Sequence, residues 1–84
     1  MFGNRITHLG EDLEDRLESA LIEGALDYIQ YDEELLAFEI LCDHISEYNV
    51  AITSAEYEKI ANLIKEMNLD INEAPFRYLK KLVT

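Results

Sequence analysis

Basic residues are scarce in this chain. Seven lysines and arginines stand against eighteen aspartates and glutamates in 84 residues, a formal charge of −11 at pH 7. A field of that sign repels nucleic acid and anionic membrane surfaces, and it attracts cationic protein surfaces. Cysteine occurs once, as Cys42, so no internal disulfide can form, which suits a reducing cytosol. Three glycines leave nothing to build a glycine-rich phosphate loop. No stretch approaches the roughly 20 apolar residues of a membrane span. The opening MFGNRITHLG has no apolar run of signal-peptide length, so a cytoplasmic protein is expected. Strand signals are missing too: nothing alternates apolar and polar for long, and β-branched residues are scattered.

What the chain does have is a full complement of apolar residues, 49%. High net charge leads to disorder when hydrophobicity is low, and here it is not, so the chain is expected to fold. Its length makes one domain spanning residues 1–84. A domain of roughly 80 residues buries only about 60–65% of the surface its unfolded chain exposes, so surface binding is an easier use than a deep cleft. The charge is uneven. Residues 1–56 hold fourteen acids and two bases, Arg5 and Arg16, whereas residues 57–84 hold four acids and five bases. The imbalance therefore belongs to the first two thirds of the chain, and it costs stability through self-repulsion.

Helical spacing is clear in several places. Asn4 is placed to cap a helix carrying Ile6, Leu9, Leu13 and Leu17, weakened by Gly10 within it. Ser19 is placed to cap a second, with Ile22, Ala25, Leu26 and Ile29 inward; whether the two are one helix stays open. Asp32 offers an N-cap with Glu33 and Glu34 in the first turn, where the helix dipole favours acids. That helix runs from about 33 to 48, with Ala37, Phe38, Leu41, Cys42, Ile45 and Tyr48 on one face and Asn49 ending it. Thr53-Ser54-Ala55-Glu56 fits a capping box, opening a helix that buries Tyr57, Ile60, Leu63, Ile64 and Met67 and ends near Asn68. After Asn72 and Pro75 a short helix to about Lys81 or an extended tail is expected. Short connections then give an all-α, compact bundle of four or five short helices.

Metal and catalytic chemistry find little support. Cys42, Asp43 and His44 are consecutive on a helix, so their side chains fan out by about 100° each and cannot share one ion. His8 has no partner at ligand spacing. Two histidines do not supply the converging nucleophile, base and orienter of a catalytic site. Neither a cofactor nor an enzymatic activity is expected. A small acidic carrier or adaptor protein is the alternative, yet the acyl-carrier Asp-Ser-Leu motif is approached only by Glu18-Ser19-Ala20-Leu21, and Ser46 and Ser54 read as plain helix and cap serines.

Glu39, Asp43 and Glu47 fall at i, i+4 and i+8, one carboxylate per turn. Like charges at that spacing oppose each other by about 0.2–0.5 kcal/mol per pair, and no Lys or Arg within a turn relieves them. Leu36 and Ile40 fall beside this stripe. The pattern reads either as a central helix apolar nearly all round with its acids in water, or as an acid-lined patch built to meet a basic partner. Five tyrosines add weight to the second reading. Tyr28 lies by Asp27, Tyr31 by Asp32 and Tyr48 by Glu47, and tyrosine is favoured at binding hot spots. Tyr57, by Glu56 and Glu58, reads better as ordinary core packing.

The run Tyr31-Asp32-Glu33, then Ala37-Phe38-Glu39-Ile40-Leu41-Cys42-Asp43-His44-Ile45, Glu47-Tyr48 and a capped helix ending Met67-Asn68-Leu69 resembles the MafI family of small immunity proteins over roughly residues 20–70. The family helix usually opens with a Gly-Glu-like pair where this chain has Asp32-Glu33-Glu34. The resemblance implies an immunity protein of a contact-dependent inhibition system, one that neutralises the nuclease domain of a secreted polymorphic toxin, commonly a ribonuclease and in some cases EndoU-like. The partner expected is that basic toxin domain, bound one to one by a protein that is monomeric when free. Asp32, Glu33, Glu39, Asp43, Glu47 and Tyr48 are the expected contacts.

Overall fold

Ile6 and Leu9 bury one face of the first helix, α1 (Gly3–Asp12), in the computed structural model, which describes residues 1–84. There follow α2 (Ser19–Leu26), a 3-10 turn (Asp27–Tyr31), α3 (Glu34–Glu47), α4 (Ser54–Glu66) and two further 3-10 turns, Phe76–Tyr78 and Lys80–Leu82. No strand forms, and the all-α bundle expected from the spacing is the fold. α3 is central, packing against α1, α2, the 3-10 turn before it and the turn at Phe76.

The stretch before residue 31 is two helices. Gly10 explains why a residue poor for helices sits inside α1. A Cβ there would stand 3.1 Å from Ile22 Cγ2 and 3.1 Å from Leu26 Cδ1, so the missing side chain lets α2 lie close. Leu13 and Leu17 lie beyond the end of α1, in the turns that join it to α2, and both are buried.

Three caps expected from the sequence are placed differently. Asn4 is inside α1 and exposed. The free amides there are received from a distance: one carboxylate oxygen of Glu34, in the first turn of α3, accepts from the Phe2 amide at 3.1 Å, the Gly3 amide at 2.7 Å and the Met1 ammonium at 3.1 Å. Ser19 is the first residue of α2, with Glu18 at the cap position. Asp32 does not cap α3 but closes the turn before it, at φ 60°. Asp favours both an N-cap and the left-handed conformation, and the hydrogen bonds decide: Asp32 N–H donates to Ile29 O at 3.1 Å and Glu33 N–H to Tyr28 O at 3.0 Å.

The same closure ends α3 and α4, at Asn49 (φ 51°) and Asn68 (φ 60°). Val50 N–H reaches back to Ile45 O at 3.0 Å, and Leu69 N–H to Ile64 O at 2.8 Å, the six-to-one bond of a Schellman motif. Asn and Asp take here the places glycine usually fills, which is how so glycine-poor a chain makes its turns.

Ala37, Phe38, Leu41, Cys42 and Ile45 form the buried face of α3 as expected. Tyr48 does not join them: the helix has ended by then, and the residue is 55% exposed. The capping box opens α4, with Glu56 N–H on Thr53 Oγ1 at 3.0 Å and Thr53 N–H on Glu56 Oε1 at 2.8 Å. Ile60, Leu63 and Ile64 are buried beyond it, with Tyr57 and Met67 half-buried against the core.

The tail is neither a regular α-helix nor free. Asn72 opens no helix; its amide donates to Asp70 Oδ1 at 2.8 Å. Phe76 stacks on Phe38, ring centroids 5.6 Å apart, and Leu79 is fully buried. Ile52 N–H donates to Leu82 O at 3.0 Å and Thr84 N–H to Ile52 O at 2.9 Å, so the chain's end is tied to the α3–α4 connection. Removing the Phe76 ring, 4% exposed, leaves a cavity against Phe38. Phe76→Ala is expected to cost about 3–5 kcal/mol, read as a lower midpoint in urea unfolding.

Candidate protein-binding face

The face of α3 opposite its buried side is set by the helical repeat. At 100° per residue, Leu36, Glu39, Asp43 and Glu47 share an arc of about 80°, with Ile40 on its flank. Asp43 and Glu47 are exposed and Glu39 is half-buried. Asp32 and Glu33 are exposed at the N-terminal end of this face, and Tyr48 is exposed at its C-terminal end. The six residues singled out by the sequence thus lie along one helix and its two ends, a length of about 20 Å.

None of the five acids has an ion-pair partner. The ion pairs of the protein use Asp12, Asp15, Glu34, Glu56 and Glu66. No lysine or arginine occurs between Arg16 and Lys59, so nothing on α2 or α3 can answer the carboxylates locally. The bases on either side of that interval are turned toward the α1–α4 seam. Both terminal nitrogens of Arg5 bond Glu66 at 2.8 Å, and Lys59 reaches Asp12 at 3.3 Å. Arg16 grips Glu56 with two bonds of 2.7 Å, donates to Ala51 O at 3.0 Å and to the carbonyl of Asp12, and pairs with Asp15 at 2.9 Å.

No local pattern in the sequence marks this arginine node or the role of Glu34, because both join residues far apart in the chain. The capping box gave Glu56 a place, but its partner lies 40 residues away.

The Arg16 guanidinium, helped by the Thr53 amide and against the cost of partial burial, holds the Glu56 carboxyl at about 2, well below its ordinary value near 4.5. Glu56 in turn raises Arg16 further above its usual range. Glu34 is lowered first by the Met1 ammonium and then by the Phe2 amide. At Cys42, in the middle of α3, the shift runs the other way. Burial, then the charges of Glu39 and Asp43, push the Cys42 thiol far up, so it stays protonated and unreactive. No group of three or more His, Cys, Asp and Glu side chains is arranged to hold a metal ion. His44, half-buried, packs its ring 6.3 Å from that of Tyr48, and its Nδ1 is buried without a hydrogen-bond partner.

The face is not a cleft. Three surface clefts exist, and all are lined by residues of α1, α4 and the segment after it; the most apolar, about 350 Å³, lies among Ala61, Ile64, Lys65, Leu69 and Ile71. A convex helix face with aligned carboxylates suits a broad protein surface better than a small molecule. No helix is long and apolar enough to cross a membrane. Comparison of the chain with protein families, characterised proteins and solved structures returns no match.

The Glu56 shift has a direction for stability. A carboxylate whose folded pKa is depressed stabilises the fold above its unfolded value, and that contribution is lost as pH falls from about 5 toward 2. The shift corresponds to about 3 kcal/mol. Glu56→Gln, which keeps a capping-box side chain, should lower stability at pH 7 by about that amount. It should also flatten the loss of stability between pH 5 and 2, measured by urea unfolding across that range.

Proposed function

We propose that this chain is an immunity protein that binds and neutralises the basic nuclease domain of a secreted toxin, a ribonuclease of the polymorphic-toxin type. The reading rests on one observation above the others. Glu39, Asp43 and Glu47 stand in line on the outward face of α3 in no ion pair, while the bases that bound this interval of the sequence, Arg16 and Lys59, are paired elsewhere. The stripe stores repulsion in the free protein that a partner's arginines or lysines relieve on binding. A ribonuclease must present a cationic groove to the phosphate backbone, and a row of carboxylates about one helical turn apart can occupy it in place of RNA. Opposite fields also speed the encounter, which matters when a toxin must be caught before it cuts. The resemblance of residues 20–70 to the MafI family points the same way, and cytoplasmic action follows from it.

The proposal places a toxin gene beside this one, and the C-terminal nuclease domain of that toxin is the partner to test. A one-to-one complex and loss of RNA cleavage are expected. The association rate should fall more than about tenfold between low and physiological salt, with dissociation changing less. Neutralising the stripe (Glu39→Gln with Asp43→Asn and Glu47→Gln) should leave the melt unchanged or slightly raised. Affinity should fall by about 2–5 kcal/mol for each buried pair broken. Unchanged affinity with an unchanged melt would put the interface on another helix, and uninhibited RNA cleavage would refute the function. Ser19, exposed at the start of α2, is the residue on which a carrier protein would accept phosphopantetheine; coenzyme A and a phosphopantetheinyl transferase should leave the mass unchanged.

A further inference from the structure

Four of the seven exposed large apolar side chains fall within nine residues: Tyr28 (39% exposed), Tyr31 (67%), Leu35 (44%) and Leu36 (37%). Two are on the 3-10 turn Asp27–Tyr31, which packs against α3, and two are in the first turn of α3. This corner between turn and helix is held rigidly. Asp32 and Glu33 donate back into the turn, Ile29 is half-buried against the start of α1, and Glu34 accepts from the Met1 ammonium and the Phe2 and Gly3 amides. Apolar side chains on so fixed a backbone lose little entropy on binding, the quality that makes tyrosine and its neighbours effective anchors.

The corner runs into the acidic face without a break, since Leu36 lies in the same arc of α3 as Glu39 and Asp43. Its rim is Asp27, Asp32, Glu33 and Glu39, none in an ion pair. That rim selects the occupant. A second copy of this chain would set these carboxylates against their own images, whereas a cationic protein surface meets them with opposite charge.

Resting on the reading that the α3 face meets a cationic partner, we infer that this corner is the apolar anchor of the same interface. It takes one or two apolar side chains that project from a cationic protein surface and are flanked there by lysine or arginine. Glu39, Asp43 and Glu47 steer the encounter, and Tyr31, Leu35 and Leu36 hold what has been steered in.

Two probes separate these roles: an amphipathic helical peptide of lysine and leucine, and an oligolysine of equal charge, each titrated into the full chain at physiological salt. The lysine–leucine peptide is expected to bind at least about tenfold tighter than oligolysine, the gain of roughly one well-buried side chain. Tyr31→Ser with Leu35→Ser should bring the two probes within about threefold of each other. Tyr31→Ser alone should move the same way without touching α3. Ile71→Ser, an exposed apolar residue on the segment after α4, should change nothing. Neutralising the three stripe acids should weaken both probes together. If the corner variants keep the full preference, or the native chain shows none, the anchor is overturned while the acidic-face reading stands. If neither probe binds, or the stripe variant binds both unchanged, that reading itself fails. A dimer that forms with concentration and dissociates on Tyr31→Ser would overturn the anchor in favour of self-association.

Discussion

Arg16 joins segments that apolar packing alone would leave loosely related. Its guanidinium reaches the carbonyl of Asp12 at the end of α1, the carbonyl of Ala51 in the α3–α4 connection and both oxygens of Glu56 in the first turn of α4. Glu56 also closes the capping box, so a single side chain fixes where α4 begins and how it leans on α1. Ile52, between Ala51 and the cap, carries the two bonds that tie down the tail. A partly buried, bidentate pair of this kind is strong only because every remaining donor has a partner, and losing one member would leave the other charge uncompensated. With Arg5–Glu66 and Lys59–Asp12 beside it, the node sets how α1 lies against α4.

That node also shapes the outward chemistry. Bases are few, and those flanking the long acidic interval are committed to the α1–α4 seam. Residues 17–58 are left with carboxylates alone. The asymmetry is thus architectural as well as compositional: Arg5, Arg16 and Lys59 tie α1 to α4, and anions face outward along α3. The free protein accepts some electrostatic strain on that face in return for a field that extends toward oppositely charged surfaces.

Much of this was legible in the sequence wherever the governing interaction is local. The capping box at Thr53–Glu56 and the inward face from Ala37 to Ile45 follow from hydrogen bonds and periodicity within a few residues. The acidic stripe follows from the same spacing. Local signals failed where one residue type serves two conformations, as at Asp32, or where the helix stops one residue before the pattern does, as at Tyr48. They failed again where the partner is distant. The cap of α1 comes from Glu34, the partner of Glu56 is Arg16, and the reason for Gly10 is α2. The tail could not be read because Phe76 finds its place on Phe38, far away in the chain.

Cys42 sits at the centre of α3, wholly buried and held protonated by burial and by the carboxylates one turn above and beside it. While the bundle is closed, such a sulfur is sheltered from alkylating and oxidising reagents alike. Once α3 leaves the core, it becomes an ordinary thiol, and the only one in the chain. The protein therefore carries its own gauge: labelling of this one sulfur reports how readily the central helix leaves the core, without any reporter being added.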